Sequence, residues 1–273
     1  MHGAGNDYIY FNCFEAPLED PEEVSIKLSR RRFSVGSDGI VLVMPSDKAD
    51  GRMRIFNADG SEAKMCGNGI RCVGKALYEI VGIKKNVLTV ETESGVKRLI
   101  LDIKGDRVVG ALVEMGKAVF EAEKVPAIFE RSEMIEAPVN ILDDEWKLTA
   151  VSVGNPHSVI FTDNIDSLDL EKIGPHFENH PIFPDRVNTE FIEVVKRNEL
   201  KMRVWERGSG ETLACGTGAS ASAAAAVKTG RCDFNIPIKI ELKGGTLYIT
   251  VKEDYSIIMK GPCELAYTGE AEI

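Results

Sequence analysis

Two short turns of like composition, MCGNG at 65–69 and ACGTG at 214–218, stand 149 residues apart. The same spacing holds at other landmarks. GNDYIYF at 5–11 and GNPHSVIF at 154–161 place Asn6 and Asn155 in that relation, and the shift carries Asn57 onto Glu206, Glu62 onto Glu211 and Gly95 onto Gly244. Asp20, opening a predicted helical stretch at 20–32, falls on Asp169, opening one at 169–180. An offset kept over so many points reads as an ancient duplication and limits the chain to folds made of two like halves. Each half reads as a short strand ending in Gly-Asn, a helix, one or two strands, a Cys-Gly-x-Gly turn, a helix, then further strands.

The 273 residues agree with this, since about 150 residues per domain predicts two domains. The strands after each cysteine helix are legible from alternation and β-branched content. They are NVLTVET (86–92), VKRLILDI (96–103) and RVVGALVEM (107–115), then IPIKIEL (236–242), TLYITVK (246–252) and YSIIMK (255–260). ESG, KGD, KGG and KED separate them as turns, which predicts antiparallel meanders. Residues 118–148 have no counterpart under the shift and are expected to carry the crossover between the halves.

Ile70, Val73, Leu77 and Ile80 recur at helical spacing, with Gly82 suited to the C-cap, so a helix is expected from at or just after Cys66. Its copy runs from Ala214 to about Lys228 and ends at Gly230. The alanines and serines of ASASAAAAV make it a slim rod that can be buried on all sides. A slim helix enclosed by a curved antiparallel sheet, given twice, predicts an α+β protein of two pseudo-symmetric domains.

A cysteine at a helix start meets unpaired N–H groups and the positive end of the macrodipole. Both favour a thiolate and lower a thiol pKa from its ordinary value of about 8.5. The same N–H groups can hold a carboxylate, and neighbouring glycines leave the approach open. Alone, either cysteine would read as a small buried apolar residue; two matched turns read as chemistry. Cys13, Cys72, Cys232 and Cys263 lack the glycine context and are assigned to the core. One thiol per half, placed face to face across a cleft, suits racemisation or epimerisation, one thiolate removing a proton and the opposing thiol returning one. The carbanion's charge spreads onto the adjacent carboxylate, for which the backbone donors of Gly67, Asn68, Gly216 and Thr217 are candidates.

Neighbouring groups bias the thiols, and His157 in GNPH and Glu206 in WERG are the expected tuning residues. Arg207 can hold a second carboxylate of the substrate; a plain surface Glu-Arg pair is the competing reading. Asn6, Asn57, Asn155 and Asn188 each stand beside a turn signal and read equally as turn-formers or ligands. His2, His176 and His180 are read as ordinary histidines.

The net charge of −10 argues against nucleic acid and anionic membrane partners. No apolar run approaches the roughly 20 residues of a membrane span, and no signal-peptide pattern opens the chain, so a cytosolic location is the default expectation. Six cysteines in a chain this long do not make a disulfide scaffold.

MHGAGNDYIYFN, NADGSEAKMCGNGIRC, GNPHSVIF, RVNTEF and WERGSGETLACGTGASA, in order and continuing to GPCELAYTGEAEI, resemble the diaminopimelate epimerase family over essentially the whole chain. The resemblance implies interconversion of LL- and meso-diaminopimelate for lysine and peptidoglycan precursors, by a pyridoxal-independent two-base mechanism with no cofactor or metal, in a cytoplasmic homodimer. It places the two bases on Cys66 and Cys215 and the tuning groups on His157 and Glu206. Its substrate ligands fall on Asn6, Asn57, Gly67, Asn68, Asn155, Asn188, Glu206, Arg207, Gly216 and Thr217, and a dimer-contact tyrosine on Tyr267. It implies a first half-domain of 1–117 with a returning C-terminal strand at about 262–273, and a second of 118–261. The chain departs from the family twice. Members carry a short strand before the MHG motif, within which Met1 begins here, and some have a substrate-binding glutamine where this chain has Gly39.

The runner-up is a two-thiol racemase on the same scaffold acting on proline or hydroxyproline. Such a site has no distal amino-acid group to recognise, so Arg207 with Asn57 and Asn188 favours diaminopimelate. A thiol redox or zinc protein is weakly supported, because no CxxC occurs. A non-catalytic binding module is the third alternative, separated from the first by exchange of the substrate α-hydrogen in deuterated water.

Overall fold

The computed structural model describes residues 1–273, which divide into two compact units: 1–114 with 260–273, and 115–259. No helix is long and apolar enough to cross a membrane.

The first unit holds β1 (His2–Gly3), β2 (Asn6–Asp7), β3 (Ile9–Asn12), α1 (Pro21–Ser29), β4 (Gly39–Met44), β5 (Gly51–Asn57), β6 (Glu62–Ala63), α2 (Gly67–Ala76), β7 (Val87–Thr92), β8 (Gly95–Lys104) and most of β9 (Arg107–Lys117). Its strands run in the order β9-β8-β7-β5-β4-β3, with β6 beside β5. All ten residues of α2 are buried, packed against β1, β4, β7 and β8. The helix can lie this close to the sheet because a Cβ at Gly74 would come within 2.9 Å of Leu99 and 3.0 Å of Leu101. Ile70, Val73 and Leu77 are buried as their spacing predicts, but Ile80 is exposed. The last turn, Leu77–Val81, is π-helical, and its extra residue rotates Ile80 outward before Gly82 (φ 90°) closes the helix. The C-terminal residues return to this unit: His2 and Glu264 exchange backbone hydrogen bonds of 2.9 Å.

The second unit holds β10 (Ala137–Ile141), β11 (Asp144–Ser152), β12 (Pro156–Phe161), α3 (Leu170–Glu178), β13 (Asn188–Lys196), β14 (Glu199–Glu206), β15 (Gly210–Glu211), α4 (Gly216–Lys228), β16 (Ile238–Leu242), β17 (Gly245–Val251) and the start of β18 (Ser256–Pro262). Their order is β10-β11-β12-β13-β14-β16-β17, with β15 beside β14. α4 is the slim rod expected, buried from Ala219 to Val227 and packed on β11, β12, β13 and β17. The unmatched stretch 118–148 supplies β10, part of β11 and the core residues Val125, Met134 and Ile141. Trp146, Phe177 and Phe191 meet edge-to-face with centroids 5.2–6.0 Å apart, an arrangement worth about 0.5–1.5 kcal/mol per pair beyond burial.

The duplication extends to the hydrogen-bond register. Ile9 pairs with Ile40 and Ser158 with Thr189; Ile40 pairs with Phe56 and Thr189 with Trp205, each 149 apart. The sheets are mixed rather than wholly antiparallel. β3 lies parallel to β4 and β5 to β7, as β12 does to β13 and β14 to β16, because a helix carries the chain across at each of those joints.

Three details differ from the sequence reading. Gly-Asn does not end a strand but lies where one antiparallel strand turns into the next: Gly5 (φ 82°) is in the turn from β1 and Asn6 opens β2, while Gly154 (φ 97°) and Asn155 both lie between β11 and β12. The helices at 20–32 and 169–180 are shorter, and Asp169 caps Lys172 while Asp20 makes no side-chain cap. Past the cysteines the offset drifts. The helix-ending glycines Gly82 and Gly230 are 148 apart because of the π turn, and Gly95, which starts β8, matches Gly245, which starts β17, rather than Gly244.

A Cβ at Gly174 on α3 would lie 2.2 Å from the Trp205 ring, which Glu178 holds through a 2.8 Å bond from Nε1. Gly174→Ala should therefore lower stability by about 1–3 kcal/mol through overpacking, read as an earlier urea midpoint; an unchanged midpoint would contradict this close packing.

Candidate active site in two matched half-sites

Cys66 and Cys215 are N-cap residues of α2 and α4 with near-identical backbones, φ −132°, ψ 116° and φ −123°, ψ 111°. Each sulfur accepts the N–H three residues on, from Gly69 and Gly218, at 3.3 Å. The first intrahelical bonds come from Ile70 and Ala219, to the cysteine carbonyls. The N–H groups of Gly67, Asn68, Gly216 and Thr217 therefore precede the bonded part of each helix, where an anion is favoured. Each cysteine is delivered by a small hairpin clamped by a bidentate ion pair, Arg54–Glu62 on β5 and β6 and Arg203–Glu211 on β14 and β15. Glu62 and Glu211, which helped reveal the repeat, are thus structural.

In the first half-site Cys66 is half-buried and its Sγ donates to Asn6 Oδ1 at 3.2 Å. Asn6 Nδ2 donates to Asp38, which with Asp7 receives Arg31. Asn57 donates to Ser61 Oγ at 3.0 Å. Asn68 is buried, its Oδ1 accepting from Arg71 Nη2 at 3.0 Å. Arg71 is wholly buried and also donates to the carbonyls of Gly67 and Pro262; burial lowers its pKa. A Cβ on Gly3 would lie 2.9 Å from Arg71, which explains the glycine of the MHG motif. At Gly39 a Cβ would lie 2.0 Å from the Phe56 carbonyl oxygen, so this backbone admits no side chain there.

The second half-site is acidic. His157 is wholly buried, with Nδ1 2.7 Å from Glu190 Oε1 and Nε2 3.0 Å from Asn155 Oδ1. Asn155 Nδ2 donates to Thr217 Oγ1 at 3.4 Å, and that hydroxyl lies 3.4 Å from Cys215 Sγ. Asn188 is tied into the scaffold, donating to the Pro156 carbonyl and accepting the Arg207 N–H, each at 2.9 Å. The Arg207 guanidinium donates to the Asp185 carbonyl. Burial raises the Glu206 pKa, against hydrogen bonds from Thr212 and Cys215. Tyr267 lies outside both half-sites, exposed near the C-terminus.

The expectation that a helix start lowers the thiol pKa fails at Cys215. Burial, and then the charges of Glu206 and Glu190, push it well above its ordinary value and outweigh the bonds from Thr217 and Gly218. The first half has no acids at the equivalent positions: Tyr8, Val41 and Asn57 stand 149 residues before His157, Glu190 and Glu206.

Sequence reasoning missed Arg71, Asp38 and Glu190. For Glu190 a signal existed, since a charged residue faces an apolar one under the shift. Cys13, Cys72, Cys232 and Cys263 are buried, as expected of core residues.

The site thus stands on a duplicated α+β scaffold with a capping thiol at the start of each central helix. Its fold is shared with a probable proline racemase from Agrobacterium radiobacter K84, which is 16% identical with a TM-score of 0.67 over 88% of this chain and 78% of that one. It is shared too with a PhzF-family phenazine biosynthesis protein from Bacillus anthracis, 19% identical, TM-score 0.63, over 92% and 87%. The family model described as diaminopimelate epimerase matches residues 1–121 and 149–266, passing over most of the stretch without an internal counterpart. Diaminopimelate epimerases of Acetivibrio thermocellus and Methanococcus maripaludis are 49% and 47% identical over all of this chain and 97% and 98% of their own. The chain belongs to the diaminopimelate epimerase family and is an epimerase, an isomerase acting on a small molecule.

Half-buried Cys66 should be the first thiol alkylated by iodoacetamide at pH 8. Cys263, pushed up to about 12 chiefly by burial, should stay unmodified until the protein unfolds. Mass mapping that finds Cys263 labelled as fast as Cys66 would contradict this ordering.

Proposed function

We propose that the protein interconverts LL- and meso-diaminopimelate without pyridoxal or metal, moving the α-proton with the thiols of Cys66 and Cys215. The observation that carries this is the near-identical capping geometry of the two sulfurs, each beside helix N–H groups suited to a carboxylate. A thiolate takes the α-proton as the C–H bond breaks and an S–H bond forms. The electron pair spreads onto the α-carboxylate, stabilised by the donors of Gly67, Asn68, Gly216 and Thr217. The other thiol then gives its proton to the opposite face of the carbon, leaving the two sulfurs with exchanged protonation. Burial and the nearby acids favour Cys215 as the proton-carrying member before substrate arrives.

Asn6, Asn57, Asn155 and Asn188 place the substrate, and Glu206 and Arg207 recognise its distal amino-acid end, with His157 and Glu206 tuning the thiols. The two units, 1–114 with 260–273 and 115–259, carry one thiol each. The enzyme works as a cytoplasmic homodimer with Tyr267 at the contact, a reading supported by the exposure of Leu265 and Tyr267. It serves lysine and peptidoglycan precursor synthesis.

Incubation with LL-diaminopimelate beside L-proline, read by chiral separation, should show epimerisation of the first alone; racemised proline with untouched diaminopimelate would transfer the assignment to a proline-type racemase. Cys66→Ser and Cys215→Ser should each lose about 10²–10⁴-fold in turnover, the range of a positioned acid or base. Wild-type turnover in either variant would end the two-thiol mechanism.

A further inference from the structure

We propose that Glu190 is a positioning residue of the Cys215 half-site: through His157 it fixes which end of the Asn155 carboxamide faces the substrate. The inference rests on the reading of that half-site as catalytic.

Glu190 lies on β13 and His157 on its parallel neighbour β12, both wholly buried. A buried carboxylate is costly unless paired, and here only one oxygen is bonded; Oε2 has no hydrogen-bond partner. Packing does not call for the acid, because Val41 fills the equivalent position of the first unit. The helix is also cut away to admit it. A Cβ on Gly218 would lie 2.6 Å from Glu190 Oε1 and 3.2 Å from Cys215 Sγ.

The consequence follows from donor counting. Glu190 Oε1 lies 2.7 Å from Nδ1 of His157 and Asn155 Oδ1 3.0 Å from Nε2, and two acceptors facing one ring assign a proton to each nitrogen in this arrangement. The Nε2–H holds Oδ1 inward and turns the amide nitrogen outward, where one hydrogen meets Thr217 and the other is available to a carboxylate. A histidine protonated on Nδ1 alone would reverse this. Its bare Nε2 would take the amide N–H, and Oδ1 would face the substrate's negative charge. The other titratable groups around the pair are Glu206 on β14 and Cys215 at the start of α4, and burial disfavours the charged form of each.

The test is ring-nitrogen NMR of the full chain, which has four histidines, with His157 assigned by its loss in His157→Asn. Wild type at neutral pH should show two ring protons on His157, and Glu190→Gln one. The same variant should raise KM for diaminopimelate by about tenfold or more, the scale of a lost oriented donor, with a smaller fall in kcat. Glu190→Asp, which keeps the charge, should recover the two-proton signature and part of the affinity. A singly protonated His157 in wild type, or unchanged KM and ring signals in Glu190→Gln, would overturn the proposal. Should Glu190→Gln fail to fold, the wild-type ring signals still decide. Absence of α-hydrogen exchange in wild type would instead refute the catalytic reading, leaving the ring measurement to judge the relay separately.

Discussion

A helix can begin only where something receives the N–H groups of its first turn, and in this protein sulfur does so twice. Gly69 and Gly218 each give their N–H to the capping cysteine. That contact sets the position of the thiol, the direction of the next N–H groups and the need for glycine around it. The rest of each half holds this junction still. A short clamped hairpin brings the cysteine in, and strands of the same unit pack along the helix so that little in the first turn can move.

The two junctions share a backbone but not an electrostatic setting. A wholly buried arginine lies along α2 and organises Asn68, while α4 begins among a histidine and two carboxylates. The proposed two-thiol inversion needs one sulfur with a proton and one without. A perfectly symmetric duplication would supply no such difference. Here divergence at a few side chains supplies it, on a register of paired strands that has stayed the same.

The cysteines, their helices and most strands were legible because they rest on local rules: alternation, helical spacing, and glycine beside a cap. Ile80 was misread because a π turn leaves no mark in hydrophobic spacing. Gly244 was matched in place of Gly245 because two adjacent glycines hide a one-residue drift. Arg71 escaped notice because a charged residue on a helix normally marks the wet face, and α2 has none. Glu190 escaped because TEF in a strand looks like ordinary alternation; its neighbours His157 and Gly218 come together only in three dimensions.

The drift in offset is confined to the chain beyond the cysteines. From Gly-Asn to Cys the two copies have kept the same length to the residue, although their sequences have diverged widely. On the proposed mechanism that segment acts as a ruler, bringing an asparagine and a capping sulfur to hydrogen-bonding range of one ligand. Insertions and deletions have been absorbed downstream, in the helix ends and hairpins that only close the sheet. Variation in length among relatives should therefore gather after the cysteine helices, where the fold can spend it without disturbing the spacing of the half-site.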